Sequence, residues 1–265
     1  MTSDLLQTIV AAARRAAEVR AGHAEARPFP EPLQPPRGEQ FEASLRAGGV
    51  RIIAECKRRS PSRGILRRDY DPAAIAREYQ AAGAAAISVL TEPTFFSGSL
   101  DHLRAVRAAV DVPVLRKDFI VTDFQVLESA ASGADAVLLI VGALDRDQLD
   151  SLIARARVLK LAALVEVHDR RELDIALEAN AAIIGVNSRN LRTLDVDIAV
   201  FDELAPYIPP SVVAVAESGL RVPADLARLR SGRYNAFLVG ERLMTEGSPG
   251  AALASLRLAA GQEIG

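Results

Sequence analysis

The feature that most constrains this chain is a series of short apolar segments that recur at even spacing, with helix-like stretches between them. Eight such segments follow one another, at residues 51–55, 86–91, 113–118, 135–141, 162–167, 182–188, 212–218 and 236–241. They are apolar along most of their length rather than at alternate positions, which is typical of strands covered on both faces. Because such strands belong to parallel sheets inside a shell of helices, the pattern predicts an α/β protein.

A weak internal repeat indicates how these strands are arranged. The segments "AAGAAAISVL", "ASGADAVLLI", "EANAAIIGVN" and "SGRYNAFLVG" each end a helix on a residue that tolerates left-handed backbone and then begin an even-numbered strand. The period is about fifty residues, or two βα units. Eight evenly spaced units favour a closed (β/α)8 barrel, or TIM barrel, over a doubly wound open sheet, which seldom has so many. A length of 265 residues is usual for one such barrel.

The first 48 residues precede the barrel pattern. An amphipathic helix is predicted at the start, with Ser3 available as its N-cap and one apolar face formed by Leu6, Ile9, Val10, Ala13 and Ala17. The prolines of "RPFPEPLQPPRGE" predict an extended connector, and "QFEASLRAG" predicts a short helix. We therefore expect residues 1–48 to form an extension packed on a barrel of residues 49–265, within one structural domain.

Composition and charge exclude several classes of function. A formal net charge of -2 gives no general attraction to nucleic acid or to an anionic membrane. The N-terminus has Asp4 where an export signal would be basic, and apolar runs such as 137–144 are far shorter than the roughly 20 residues of a membrane span. The single cysteine, Cys56, cannot form an internal disulfide and suits a reducing compartment. We expect a cytoplasmic protein without nucleic-acid or membrane partners.

Polar residues accumulate where the predicted strands end. These positions hold Glu55 and Lys57, Arg116 to Asp118, Glu166 and His168, Asn187 and Arg189, and Glu217 and Ser218. In a (β/α) barrel the carboxyl ends of all strands meet at one mouth. Any one of these residues could be a structural ion pair, but five strands with the same pattern favour an acid/base site whose lysines and glutamates tune one another's pKa.

The last two strands carry a candidate phosphate site. They end in "AESGL" and "FLVGERL", where Gly219 and Gly240 would let backbone amides approach an anion closely. A plain turn is the alternative reading of each glycine, but Lys57 and the serine-rich turn that contains Ser60 favour phosphate. Other chemistry has less support, because the three histidines lack metal-ligand spacing and no nucleotide-binding motif is present.

Seven segments of the chain together resemble one known enzyme family. "IIAECKRRSPSRG", "VLTEPTFFSGSL", "VLRKDFI", "LVEVH", "IIGVNSRNLRTLDVD", "VAESGL" and "FLVGERLM", within residues 51–244, are similar in order to the strand-end motifs of indole-3-glycerol phosphate synthase. The helix before the barrel resembles that family as well. The resemblance implies a (β/α)8 lyase of tryptophan biosynthesis. Such a lyase converts 1-(2-carboxyphenylamino)-1-deoxyribulose 5-phosphate to indole-3-glycerol phosphate, carbon dioxide and water. It implies no cofactor and leaves open an association with other enzymes of the pathway.

The resemblance also implies roles for individual residues. Lys117 would be the general acid that protonates the ribulose carbonyl oxygen, Glu55 would fix its charge and position, and Glu166 would be the acid or base of the dehydration. Lys57 would lie near the anilino carboxylate or share the acid role. Asn187 and Ser218 complete the expected catalytic set. The expected substrate-binding residues are Ser60, Phe96, Phe119, Arg189, Glu217, Gly219, Gly240 and Glu241.

The sequence leaves one detail and two other functions open. Glu241 stands where some relatives have Ser, so a phosphate contact there would come from its backbone amide. A lysine Schiff-base aldolase or sugar-phosphate isomerase would use Lys117 as a nucleophile instead of an acid. A barrel that binds sugar phosphates without turnover, or that acts only as a partner subunit, is the alternative from another class.

Overall fold

Eight parallel strands close into a barrel in the computed structural model, which describes residues 4–26 and 34–262. The strands are β1 (Arg51–Cys56), β2 (Arg59–Ser60), β3 (Gly64–Ile65), β4 (Ala86–Leu90), β5 (Val114–Lys117), β6 (Ala136–Ile140), β7 (Ala162–Val167), β8 (Ile183–Asn187), β9 (Val213–Glu217) and β10 (Ala236–Val239). β1 and β4 to β10 form the barrel, and β10 pairs with β1 to close it. The predicted (β/α)8 fold is therefore confirmed.

The helices alternate with the barrel strands. They are α1 (Leu5–Ala26), α2 (Gly38–Arg46), α3 (Pro72–Ala81), α4 (Leu100–Ala109), α5 (Asp123–Ala131), α6 (Arg146–Val158), α7 (Arg170–Glu178), α8 (Ala199–Leu204), α9 (Pro223–Gly232), α10 (Glu241–Thr245) and α11 (Pro249–Gln262). Five consecutive helices, α3 to α7, begin after a residue whose side chain accepts a hydrogen bond from a first-turn amide. Each cap fixes the residue at which the loop after a strand ends and the next helix begins.

Strand side chains divide the core into two layers. Residues such as Ile53, Leu115 and Leu164 point into the barrel and form an inner cluster. Their neighbours, such as Ile52, point outward and pack against the helices. Cys56 lies in this outer layer and is fully buried. Alternation along each strand thus decides which residues can reach the barrel interior.

Helix α2 closes the amino end of the barrel. Its residues Phe41 and Leu45 are fully buried in the inner cluster. Gly38 donates its amide to the Lys160 carbonyl at 2.9 Å, and a Cβ atom at this position would overlap the backbone just before β7. The buried carboxylate of Asp135 accepts the Arg37 amide at 2.9 Å. The functional cavity therefore opens at the opposite, carboxyl end.

Helix α1 lies beside that open end. Leu6 and Ile9 are buried in the cluster that also contains Phe119, which follows β5. Asp4 forms an ion pair with Arg192 in the loop after β8. Ser3 and residues 27–33 lie outside the described residues. The N-cap at Ser3 and the extended connector over residues 27–33 therefore stay predictions.

The strand predictions are accurate to within two residues at every boundary, with one omission. The loop after β1 contains the hairpin β2–β3, paired between Arg59 and Ile65 and between Ser60 and Gly64, where only a turn was expected. Across residues 4–26 and 34–262, no helix combines the length and the apolar character needed to cross a membrane.

Candidate active site

The carboxyl end of the barrel encloses a cavity of about 550 Å³. All fourteen candidate residues line it: Glu55, Lys57, Ser60, Phe96, Lys117, Phe119, Glu166, Asn187, Arg189, Glu217, Ser218, Gly219, Gly240 and Glu241. They come from loops and strand ends that are distant in sequence and converge only because the barrel closes. The structure brings the candidates together, while their individual roles remain predictions.

Four ionisable residues form one layer across the floor of this cavity. Glu55, Lys117, Glu166 and Glu217 come from β1, β5, β7 and β9, which are alternate strands of the barrel. Alternate strands place their inward side chains at the same height, so a layer of a (β/α)8 barrel holds four residues. Here that layer contains one ammonium and three carboxylates.

Lys117 is the centre of this layer. Its Nζ lies 3.0 Å from Oε2 of Glu166 and 3.1 Å from Oε2 of Glu217, and both carboxylates are buried. Lys57 forms a second ion pair, with its Nζ 2.6 Å from Oε1 of Glu55. Two cations thus face three buried carboxylates, and charge-assisted contacts of this kind hold the side chains in place.

The layer shifts the pKa values of its members in different directions. Burial disfavours the charged form of Lys117, but the carboxylates of Glu166, Glu217 and Glu55 outweigh it and raise the pKa of Lys117. Burial, which the neighbouring Glu166 charge reinforces, raises the pKa of Glu217 to about 7. Burial acts on Glu166 too, yet Lys117, His168 and Asn187 lower the pKa of Glu166. In the free enzyme these shifts favour a protonated Lys117 beside an ionised Glu166 and a Glu217 that titrates near neutrality.

Two glycines make room for the carboxylates. A Cβ atom on Gly185 in β8 would overlap Oε1 of Glu217. A Cβ atom on Gly240, after β10, would overlap Oε1 of Glu55. The carboxylates of Glu217 and Glu55 therefore occupy the space that a side chain at Gly185 or Gly240 would need, and this constraint at Gly185 was not recognised in the sequence.

The opposite wall of the cavity carries backbone turns and guanidinium groups. Ser218 and Gly219 both have left-handed backbone, with φ of 66° and 69°, which turns the chain sharply after β9. Glu241 lies between two arginines, 3.1 Å from Arg63 and 3.8 Å from Arg189. Arg63 was missed as a site residue, although it lies within the "SPSRG" stretch and is the long cation of that turn. This wall is the cationic side of the cavity.

An apolar wall faces the ion pairs. The rings of Phe96 and Phe119 are 6.5 Å apart between centroids and inclined by 37°. The buried carboxylate of Glu92 accepts the backbone amides of Thr94, Phe95 and Phe96, which holds the loop after β4 in position. The cavity can therefore accept a flat apolar group at one side and an anion at the other.

Two residues of the predicted rim, Arg116 and His168, do not line the cavity. Arg116 is buried outside the barrel, 2.9 Å from Asp118 and 3.0 Å from Glu128 of α5. The reason is strand alternation, because Lys117 points inward and its neighbour must then point outward. Arg116 is therefore a structural residue of the helix layer, whereas Asp118 does line the cavity.

The chain matches one protein family along nearly its whole length. The sequence model described as indole-3-glycerol phosphate synthase covers residues 6–256. The chain belongs to this family. An indole-3-glycerol phosphate synthase of Parafrankia sp. is 56% identical over 207 residues, which are 78% of this chain and 77% of the relative. The synthase of Mycolicibacterium smegmatis is 55% identical over 214 residues, covering 81% of this chain and 79% of the relative.

Comparison with solved structures supports the barrel fold but not a function. The thiamine phosphate pyrophosphorylase from Pyrococcus furiosus superposes with a TM-score of 0.64 at 16% identity, over 86% of this chain and 100% of that chain. At this low identity the likeness says nothing about the reaction, but it agrees with the closed barrel of the indole-3-glycerol phosphate synthase family.

Proposed function

We propose that this enzyme closes the indole ring of 1-(2-carboxyphenylamino)-1-deoxyribulose 5-phosphate, with loss of carbon dioxide and water, and that Lys117 and Glu166 transfer the protons. The observation that carries this assignment is the single ammonium of Lys117, held 3.0 Å from Glu166 and 3.1 Å from Glu217 on the cavity floor. Family membership supports the overall reaction. The reaction needs a cation at a carbonyl oxygen and a carboxylate near the departing hydroxyl group.

The walls of the cavity suggest how the substrate lies. Its phosphate would bind at the turn of Ser218 and Gly219 and at Gly240, near the guanidinium group of Arg189. Its aromatic ring would lie against Phe96 and Phe119. Lys57, fixed by Glu55, would face the ring carboxylate, while Ser60, Asn187 and Glu241 would border the sugar. This orientation leaves the ketone above Lys117.

Ring closure makes the ketone oxygen an alkoxide as the aromatic carbon attacks. A positioned ammonium stabilises this developing charge more than it stabilises the neutral ketone, which lowers the barrier. The neighbouring carboxylates keep Lys117 protonated because they raise its pKa. Since an alkoxide is more basic than an amine, proton transfer from Lys117 then completes the step.

Decarboxylation and dehydration follow. Breaking the bond to the carboxylate leaves its electron pair in the ring, which becomes aromatic again. In the dehydration the carbon–oxygen bond breaks and the hydroxyl group takes one proton to leave as water. The adjacent methylene carbon then loses one proton, and its electron pair forms the new double bond. Glu166 is the group that we assign to these two transfers.

The raised pKa of Lys117 also argues against the Schiff-base alternative. An amine must lose its proton before it attacks a carbonyl group, and the buried carboxylates favour the protonated form. Borohydride reduction in the presence of substrate tests this directly. We expect no covalent product at Lys117, and trapping of the substrate there would contradict the acid role.

Product formation tests the function itself. Added substrate should yield the fluorescence of an indole, and the chain contains no Trp to obscure it. Binding without fluorescence would instead support the alternative in which the barrel holds sugar phosphates without turnover. The expected absence of a cofactor is tested by whether extensively dialysed enzyme, kept in chelator, retains full activity.

Three further assignments belong to the same proposal. We place the enzyme in the cytoplasm, in keeping with its single unpaired thiol, which is buried. Association with other enzymes of tryptophan biosynthesis rests on the family resemblance alone. Cell fractionation and co-purification of the tagged enzyme would test these two assignments. We also treat residues 1–48 and 49–265 as one structural domain.

A further inference from the structure

The ring of His168 lies immediately behind Glu166. Its Nδ1 is 3.0 Å from Oε2 of Glu172 in α7, and the same oxygen accepts the His168 backbone amide at 2.8 Å. Its Nε2 is 3.4 Å from Oε1 of Glu166. His168 is not among the described residues that line the cavity, so any effect on the substrate must pass through Glu166.

The contact between Nε2 of His168 and Oε1 of Glu166 requires one proton between the two atoms. Because Oε2 of Glu172 is an acceptor, Nδ1 of His168 carries a proton. Within the described residues, Nε2 of His168 and Oε1 of Glu166 are both buried and neither has a hydrogen-bond partner. If both lacked a proton, two lone pairs would face each other away from water, which is costly. One proton between the two atoms removes that cost.

The charged groups around the ring decide where this proton rests. Glu166 faces the ring from β7, Glu172 from α7 and Glu217 from β9, while Lys117 of β5 contacts Glu166 from the other side. Burial opposes a charged imidazole, but the carboxylates outweigh it and raise the pKa of His168. These carboxylates favour a proton on Nε2, which lies 3.4 Å from Oε1 of Glu166.

We propose that His168 is a positioning residue that stores, between its Nε2 and Oε1 of Glu166, the proton used in the dehydration. This inference rests on the proposed function. As the carbon–oxygen bond breaks, the ionised Glu166 takes the stored proton from Nε2 and passes a proton to the departing hydroxyl group, which leaves as water. When the methylene carbon loses its proton, Glu166 accepts it and the imidazole is recharged. One proton leaves the pair and one returns, so the balance closes within a turnover.

A purely structural histidine would not require this geometry. The two contacts with Glu172 already fix the backbone and the ring, and they use only the amide and Nδ1. With the ring fixed in this way, Nε2 lies 3.4 Å from Oε1 of the carboxylate that we assign to the dehydration. It is the arrangement expected of a group that exchanges a proton with Glu166.

The substitution His168→Gln tests the proposal, because glutamine can keep a contact with Glu172 but cannot hold the proton. We expect kcat to fall by about 10²-fold with KM within about threefold of its original value. His168 lowers the pKa of Glu166. The acidic limb of the pH profile of kcat should therefore move to higher pH in the variant. His23→Gln, at an exposed position of α1, is the matched control and should change neither quantity.

An isotope effect and a direct measurement complete the test. With substrate deuterated at the methylene carbon, the isotope effect on kcat should not increase in His168→Gln, because the variant slows departure of the hydroxyl group, which precedes carbon–hydrogen cleavage. The nitrogen-15 shifts of His168 in the unaltered enzyme should show both ring nitrogens protonated at pH 7, whether or not any variant folds. In Glu172→Gln this doubly protonated form should be lost at a lower pH.

Three outcomes would overturn the proposal. They are an unprotonated Nε2 at pH 7, an unchanged pH profile in His168→Gln, and a KM effect without a kcat effect. Failure of the proposed function is recognised separately, because the unaltered enzyme would then form no indole product at all.

Discussion

At the scale of single residues, we expect the function to depend on the charge that Lys117 carries between two buried carboxylates. Lys117→Met removes the ammonium but keeps a side chain of similar length. We expect kcat to fall by about 10²-fold or more, because nothing then stabilises the alkoxide of the ring-closing step, while affinity for the indole product changes little. Indole fluorescence measures both quantities. Lys160→Met, at the closed end of the barrel, is the control, and an undiminished kcat in Lys117→Met would exclude the acid role.

Glu217 gives the fold itself a pH dependence. Its folded-state pKa is raised to about 7, above the value of about 4.3 expected in the unfolded chain. The folded protein therefore binds this proton more tightly than the unfolded chain does. The resulting contribution to the free energy of unfolding is fully present below about pH 4.3 and is lost as the pH rises through about 7. Relative to Glu217→Gln, the free energy of unfolding of the unaltered enzyme should fall between pH 5 and pH 8 by on the order of 2 kcal/mol.

Urea unfolding at the two pH values measures this difference. The exposed Glu203 of α8 provides the control, because Glu203→Gln should follow the unaltered enzyme at both. If Glu217→Gln lost as much stability between pH 5 and pH 8 as the unaltered enzyme, another group would be responsible for the titration.

The sequence predicted which residues meet in the site but not which way each one points. Fourteen candidates line one cavity because the carboxyl ends of parallel strands must converge. Arg116 and Lys117 are adjacent and both basic. Which of the two points into the barrel depends only on which face of the sheet the alternate residues of β5 occupy. The contact between His168 and Glu172 was also not predicted, since it depends on where α7 begins relative to the end of β7.

At the scale of secondary-structure elements, the glycine of β8 sets the position of Glu217 on β9. In Gly185→Ala the added methyl group would overlap Oε1 of Glu217 and displace the carboxylate from Lys117. We expect kcat to fall by at least tenfold and stability to fall by about 1 to 3 kcal/mol, because the core has no space for the methyl group. Steady-state kinetics and urea unfolding measure the two effects.

Gly232, the last residue of α9, is the matched control, because no atom lies within 4 Å of an added Cβ there. Gly232→Ala should leave kcat unchanged and should not destabilise the protein, since alanine favours helix more than glycine. Equal effects of the two substitutions would show that the overlap at Gly185 is relieved without moving Glu217.

Element boundaries were predictable to the extent that periodicity and caps define them. The eight barrel strands were recognised from apolar runs, which extend slightly beyond the paired residues because apolar neighbours continue into the loops. The hairpin β2–β3 escaped prediction because each of its strands has only two residues and Pro61 lies in its turn. Short strands carry too few side chains for a periodic signal.

At the scale of the whole molecule, closure of the barrel followed from the number and spacing of strands, but the docking of the extension did not. Helix α1 is fixed by contacts that no local pattern encodes. Arg20 donates two hydrogen bonds to the buried carboxylate of Glu128 at 2.7 and 3.0 Å, and Glu128 also binds Arg116, the neighbour of Lys117. Asp4 pairs with Arg192 in a loop at the mouth. The extension is therefore linked through Glu128 to the strand that carries Lys117, and it directly contacts a loop that borders the cavity.

These contacts predict that α1 supports substrate binding more than folding. Deleting residues 1–34 leaves α2 and the Arg37 contact with Asp135 in place, so the barrel should stay closed and fold cooperatively. We expect KM to rise by tenfold or more, because the loops beside the cavity lose their packing. Arg20→Ala should give a smaller rise, and the exposed Arg15→Ala of the same helix should give none. Circular dichroism and kinetics separate the two effects, and a truncated chain that fails to fold would mean that α1 belongs to the core.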